Sequence, residues 1–205
     1  MNIFRKAAPT LCLAFLLSVL TASAAVAQDA TYEGEKTCKV CHNKSTEGEQ
    51  WNKWNADKHS KALETLKSDA SIALAKEKGL AGPPSEAPEC LKCHVTGYDA
   101  AAKAAPAKIT ATLGVQCESC HGASNAHVAS AKEYKMKKIT LEQLQASREL
   151  PEEKVCLTCH NEESPTWNPE RYTADDGAKS GFNFKQAAEK IAHPNPLKKK
   201  DGAAK

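Results

Sequence analysis

Apolar positions are few along this chain, and where they cluster they follow two patterns. The first is continuous: Leu11 to Leu20 is an apolar run behind Arg5 and Lys6, closed by the small-x-small triplet Ala25-Val26-Ala27. A basic start, a short apolar run and such a triplet read as a cleaved secretory signal peptide over residues 1–27. The run is too short to anchor the chain across a bilayer. The second pattern is helical. From Glu47 to Leu66, the positions His59, Ala62, Leu63 and Leu66 share one face, and a second helical stretch covers about Asp69 to Lys78. Thr140 opens a helix from Leu141 to about Arg148, with Gln143 placed for a capping box. Asn183 to Ala192 carries Phe184, Ala188 and Ile191 on one side, and Pro194 stops it beside His193. Gly79 to Pro88 is a loop or turn around Gly82-Pro83-Pro84, and Ala100 to Gly114 is a loop or weak strand pair. Strand patterns are nearly absent, and the tail from Lys198 to Lys205 is solvated charge. The pattern predicts a mainly α fold in one irregular domain over residues 28–205.

Composition makes that fold hard to stabilise. From Gln28 onward, Leu, Ile, Val and Phe number 22 in 178 residues, well under the roughly 20% below which a chain is suspected of disorder. Side chains alone could hardly supply a core, so something else must fill the interior. Charge adds little: loss of the prefix removes two of 28 basic residues and none of 25 acidic ones, leaving about +1. That balance gives no reason to expect a nucleic-acid partner.

The cysteines say what the filling is. All eight beyond the signal peptide fall into four copies of one pattern: Cys38-x-x-Cys41-His42, Cys90-x-x-Cys93-His94, Cys117-x-x-Cys120-His121 and Cys156-x-x-Cys159-His160. C-x-x-C-H is the attachment signature of c-type haem. Two thiols add to the porphyrin vinyl groups, and the adjacent imidazole is placed to bind the iron. Zinc sites do not demand a histidine after every cysteine pair, nor does a disulfide framework, and thioredoxin-like motifs come singly on an α/β background. The sequence therefore predicts four covalently bound haems, each a large apolar plate, with the polypeptide as their wrapping. Their eight propionates would shift the charge from +1 to about −7 if all ionise. A partner would then be met through the charge pattern around an exposed haem edge.

Seven histidines remain for eight axial positions. Four belong to the motifs, leaving His59, His127 and His193 as distal candidates. His127 follows the third motif by only six residues, too close to cap the same haem comfortably, so a neighbour is expected to take it. One haem must accept Met136, accept another group, or stay open. Met136 lies in the polar run Lys132 to Lys138, which favours the open iron. The motifs are unequally spaced, 49, 24 and 36 residues from one to the next, so they form one irregular cluster and not a repeating array.

Beyond the motifs, several strings resemble the tetrahaem cytochrome c-554 family of ammonia-oxidising bacteria. They are Tyr32-Glu-Gly before Cys38, Lys58-His59-Ser-Lys-Ala-Leu-Glu on the Trp-bearing helix, and Cys93-His94-Val95-Thr-Gly97-Tyr98. Gly114-Val-Gln-Cys117-Glu-Ser-Cys120-His121-Gly122 is the most specific, and Ser164-Pro-Thr-Trp167 and Phe182-Asn-Phe184 follow. The resemblance implies a mainly helical multihaem fold with stacked haem pairs. It implies that His127 joins His42 on the first haem, His193 joins His121 on the third and His59 joins His160 on the fourth. The second haem, on His94, would be five-coordinate and high-spin. The family continues further beyond its equivalent of His193, and its lysine-rich insertion is shortened here to Gly122–Ala126.

The expected function is a periplasmic electron carrier between redox partner proteins. The family's donor is a multihaem oxidoreductase for hydroxylamine; the acceptor would be a cytochrome or a quinone-linked protein. An enzymatic alternative is reduction of a small ligand such as nitric oxide at the His94 haem, with Glu118 or Asp99 as proton donor by sequence proximity. A third is a polymeric extracellular haem filament, which the count of seven histidines disfavours.

Overall fold

The computed structural model describes residues 30–196 apart from 100, 103, 111 and 194. The segments read as a signal peptide and a charged tail, and Pro194, lie outside the described residues. The chain runs through α1 (Glu35–His42), α2 (Gln50–Ala56), α3 (Ala62–Thr65), α4 (Asp69–Glu77) and α5 (Pro88–His94). It continues through α6 (Cys117–His121), α7 (Asn125–Lys135), α8 (Leu141–Ala146), α9 (Glu153–Leu157) and α10 (Phe184–Ile191). The described strands are two residues each, β1 (Tyr172–Thr173) and β2 (Lys179–Ser180), paired antiparallel. The mainly α, irregular fold read from the sequence is the one observed.

Helix ends follow local chemistry. Ser68 and Asn183 accept hydrogen bonds from the backbone N–H groups of Ser71 and Gln186 at the starts of α4 and α10, and Pro88 begins α5, where its missing donor costs nothing. The capping box predicted for α8 is present: Gln143 N–H donates to Thr140 Oγ1 at 3.3 Å and Thr140 N–H to Gln143 Oε1 at 2.8 Å. Thr140→Ala should cost about 1 kcal/mol, read as a small drop in denaturation midpoint; a midpoint equal to the parent's would show the cap contributes nothing.

The single helix expected from Glu47 to Leu66 is broken. Asp57 ends α2 in an extended conformation, a single 3₁₀ turn follows at His59–Lys61, and α3 begins after it. The Asp57 carboxylate accepts the His59 N–H at 2.9 Å, and Ser60 Oγ donates to the carbonyls of Asn55 and Asp57. These polar side chains offer the backbone a turn in place of the helix. The described residues between Asp99 and Gly114 are turn and loop, with an isolated bridge between Asp99 and Ala104.

Side-chain packing is as thin as the composition implies. Among the described residues a cluster of buried apolar side chains is formed by Leu63, Leu66, Leu91 and Val95, with Cys90, Tyr98 and Ala105 against it. It joins α3 to α5 and so sets the second motif. Elsewhere the backbone is tied by buried polar groups. Thr96 Oγ1 accepts from Gln116 N–H at 2.6 Å and bonds Ser119 Oγ at 2.8 Å, and Glu118 accepts from Glu33, Gly34 and Ser124. Gly114 lies where an added Cβ would meet the His59 carbonyl and the Ala62 N–H. That close approach lets Val115 N–H reach the His59 carbonyl at 2.9 Å.

Candidate haem-binding site

Cysteines three apart on a helix lie on one face, and three of the motifs use this. α1, α5 and α6 each end on the motif histidine. In the fourth, α9 stops at Leu157, and the turn that carries Cys159 and His160 is closed onto the Cys156 carbonyl by both their N–H groups. The motifs are neighbours in space in an order the sequence does not follow. The thiols of Cys38 and Cys117 lie near enough to act on each other's ionisation, as do those of Cys93 and Cys159. Cys120 lies near enough to Cys156 and Cys159 for their charge to act on it, and burial pushes its thiol up to about 11. The first motif thus adjoins the third, the third the fourth, and the fourth the second.

Six of the seven histidines face one another in pairs, each pair uniting a motif histidine with one from elsewhere. His42 and His127 have ring centres 6.3 Å apart, His59 and His160 6.0 Å, and His121 and His193 5.9 Å. A metal bonded to two imidazole nitrogens at about 2 Å each, plus about 1 Å from each nitrogen to its ring centre, needs centres about 6 Å apart. The three pairs therefore fit an iron between them. With six rings paired, no imidazole is left to face His94. Met136, at the end of α7, is 56% exposed.

Each ring that receives a contact does so at Nδ1, which leaves Nε2 for a metal. His94 Nδ1 lies 2.6 Å from the Ala62 carbonyl and His121 Nδ1 2.8 Å from that of Glu149. His42 Nδ1 is 3.2 Å from Gln50 Oε1, His127 Nδ1 3.3 Å from Ser147 Oγ, and His59 Nδ1 2.9 Å from Asp57 Oδ1. Burial holds His127 and His160 below the usual imidazole range, favouring the neutral form that ligates iron. Phe182 stacks on His160 at 5.5 Å. A cavity of about 510 Å³ opens beside the third motif, lined by Tyr32, Cys120, Gly122, Leu150 and Val155 among others. Paired thiols, facing imidazoles and this space make a donor set suited to covalent haem.

The two acids named as proton donors are engaged elsewhere. Glu118 is buried, with its carboxylate turned to Glu33, Gly34 and Ser124. Asp99 accepts the N–H groups of Ala101 and Ala102 at the surface.

Residues 37–122 match the family model described as cytochrome c554 and c-prime. The chain is also 28% identical to cytochrome c-554 of Nitrosomonas europaea over 192 residues, covering 85% of this chain and 79% of that protein. No solved structure matches. The likeness to the cytochrome c554 and c-prime family thus covers residues 37–122, which hold the first three motifs, and the likeness to cytochrome c-554 extends over most of the chain.

Proposed function

We propose that this protein is an exported tetrahaem c-type cytochrome that carries electrons between redox partners in the periplasm. The observation that carries the reading is the pairing of three motif histidines with three distal ones, while the fourth, His94, is left alone. When bound, c-type haem supplies one-electron oxidation and reduction at its iron. The chain's own residues do the rest. Cys38, Cys41, Cys90, Cys93, Cys117, Cys120, Cys156 and Cys159 fix each ring at two points. His42 with His127, His121 with His193 and His59 with His160 would each hold an iron between them, and backbone carbonyls at His94 and His121 keep those rings from rotating. The crowding of the four motifs keeps their sites close to one another.

Export rests on the N-terminal signal; among the described residues no helix is long and apolar enough to cross a membrane. Partner contact is supported at the first motif, where Lys135 Nζ lies 3.0 Å from Cys41 Sγ and Lys39 sits over the Trp51 ring. An acidic surface on a multihaem oxidoreductase, or on a cytochrome or quinone-linked acceptor, would complement these lysines. A second reading, small-ligand reduction, is favoured only by the lack of an imidazole opposite His94.

Electron spin resonance of the oxidised protein, followed by carbon monoxide titration after reduction, tests the assignment. Four haems per chain, three low-spin and one high-spin, with carbon monoxide at one in four, is the expected result. Four low-spin haems and no carbon monoxide binding would refute the open His94 site.

A further inference from the structure

The contacts at Nδ1 are not alike. At His94 and His121 the acceptor is a neutral backbone carbonyl, and at His42 and His127 a neutral amide or hydroxyl oxygen at 3.2 Å and 3.3 Å. At His59 it is a carboxylate: Asp57 Oδ1 accepts from both His59 Nδ1 and His59 N, each at 2.9 Å. One oxygen thereby fixes the ring to its own backbone and draws the Nδ1 proton toward a negative charge. A carboxylate in that position makes an imidazole a stronger donor through its other nitrogen and stabilises the more highly charged metal. For iron that is the ferric state, since axial-ligand strength and hydrogen bonding are levers on haem potential.

We propose that Asp57 is a positioning residue for the His59–His160 haem, which orients His59 and holds the reduction potential of that one haem down. The proposal rests on the reading that His59 and His160 ligate one iron. It concerns a residue two positions before a ligand, in the turn that breaks the expected long helix, so the break itself has a role. Asp57 and His59 are each about one-third exposed, which screens the charge and limits the effect.

Asp57→Asn separates charge from fold. The amide oxygen can still accept both His59 donors. The backbone bonds of residue 57, from its N–H to the Trp54 carbonyl and from Ser60 Oγ to its carbonyl, do not involve the side chain. In spectroelectrochemical titration of the full tetrahaem protein, Asp57→Asn should favour reduction of one low-spin haem about tenfold, or about 59 mV for a one-electron couple. The three low-spin signals should remain. His59→Ala is the companion variant and should turn one low-spin haem high-spin. An unchanged potential in Asp57→Asn, alongside loss of a low-spin signal in His59→Ala, would overturn the role of Asp57 while leaving the ligand pair standing. Three low-spin signals in His59→Ala would overturn the ligand pair and the role of Asp57 with it.

Discussion

After His193→Ala, carbon monoxide should bind two reduced haems per chain where the parent binds one. His193 lies just past α10 and is exposed, and its ring centre is 5.9 Å from that of His121. Its removal therefore takes away a facing imidazole and little packing. His121 should stay in place, because its Nδ1 is held by the Glu149 carbonyl, and the segment that bears that carbonyl packs close to Gly122. Gly122 has φ of 68°, and an added Cβ would run into the Glu149 carboxylate. The iron would thus be left with one strong ligand and an open side. One of three low-spin signals should become high-spin in the same sample. His59→Ala and His127→Ala should each do this at a different haem, and pairs of these changes should add. Met136→Ala should change neither count, as its side chain faces solvent. A parent-like stoichiometry in His193→Ala would break the pairing with His121.

That prediction also marks how far the sequence reaches. The motifs, the histidine count and the helical character are legible because each is a statement about residue type and spacing. The resemblance implies the three pairings, and the same three sets of rings lie together in the fold. What holds those rings is far less legible. The partners of His94 and His121 are the carbonyls of Ala62 and Glu149, and any residue has a carbonyl. The place of a carbonyl is decided by tertiary packing, for Ala62 by the Leu63–Leu66–Leu91–Val95 cluster that brings α3 against α5. Asp57 did carry a signal, since an aspartate two residues before a histidine can accept its N–H in a turn. A helical hydrophobic pattern running through it hides that signal, and the periodicity carries the expected helix to Leu66, ten residues past the end of α2 at Ala56. The order of the motifs in space has no sequence signal among their spacings.

Glu118→Ala should cost the protein about 3–5 kcal/mol, with a fall of about 10 °C in melting temperature. Glu118 occupies a spacer position of the third motif, where a solvent-facing residue would be unremarkable in sequence terms. It is instead 3% exposed. Its Oε2 accepts Gly34 N–H at 2.8 Å, and its Oε1 accepts Glu33 N–H at 2.9 Å, Ser124 N–H at 2.9 Å and Ser124 Oγ at 2.6 Å. Alanine would strand these donors in a buried place, and each carries a desolvation cost of about 1–3 kcal/mol, partly relieved where water can enter. The loss is large against a net stability of about 5–15 kcal/mol. Glutamine should recover only part of it, because its amide N–H group would meet donors where the carboxylate offered a second acceptor. These bonds tie residues 33–34, which lead into α1, to α6, which carries the third motif. The weakened variant should accordingly show broadened low-spin signals for the first and third haems, while the fourth, set by α9 and the Asp57 turn, stays sharp. Calorimetry of the assembled protein gives the stability, and spin resonance of the same samples gives the location. A melting temperature within about 2 °C of the parent would mean that the Glu33–Gly34 segment holds its place without Glu118, and that the junction of the first and third motifs rests on the haems alone.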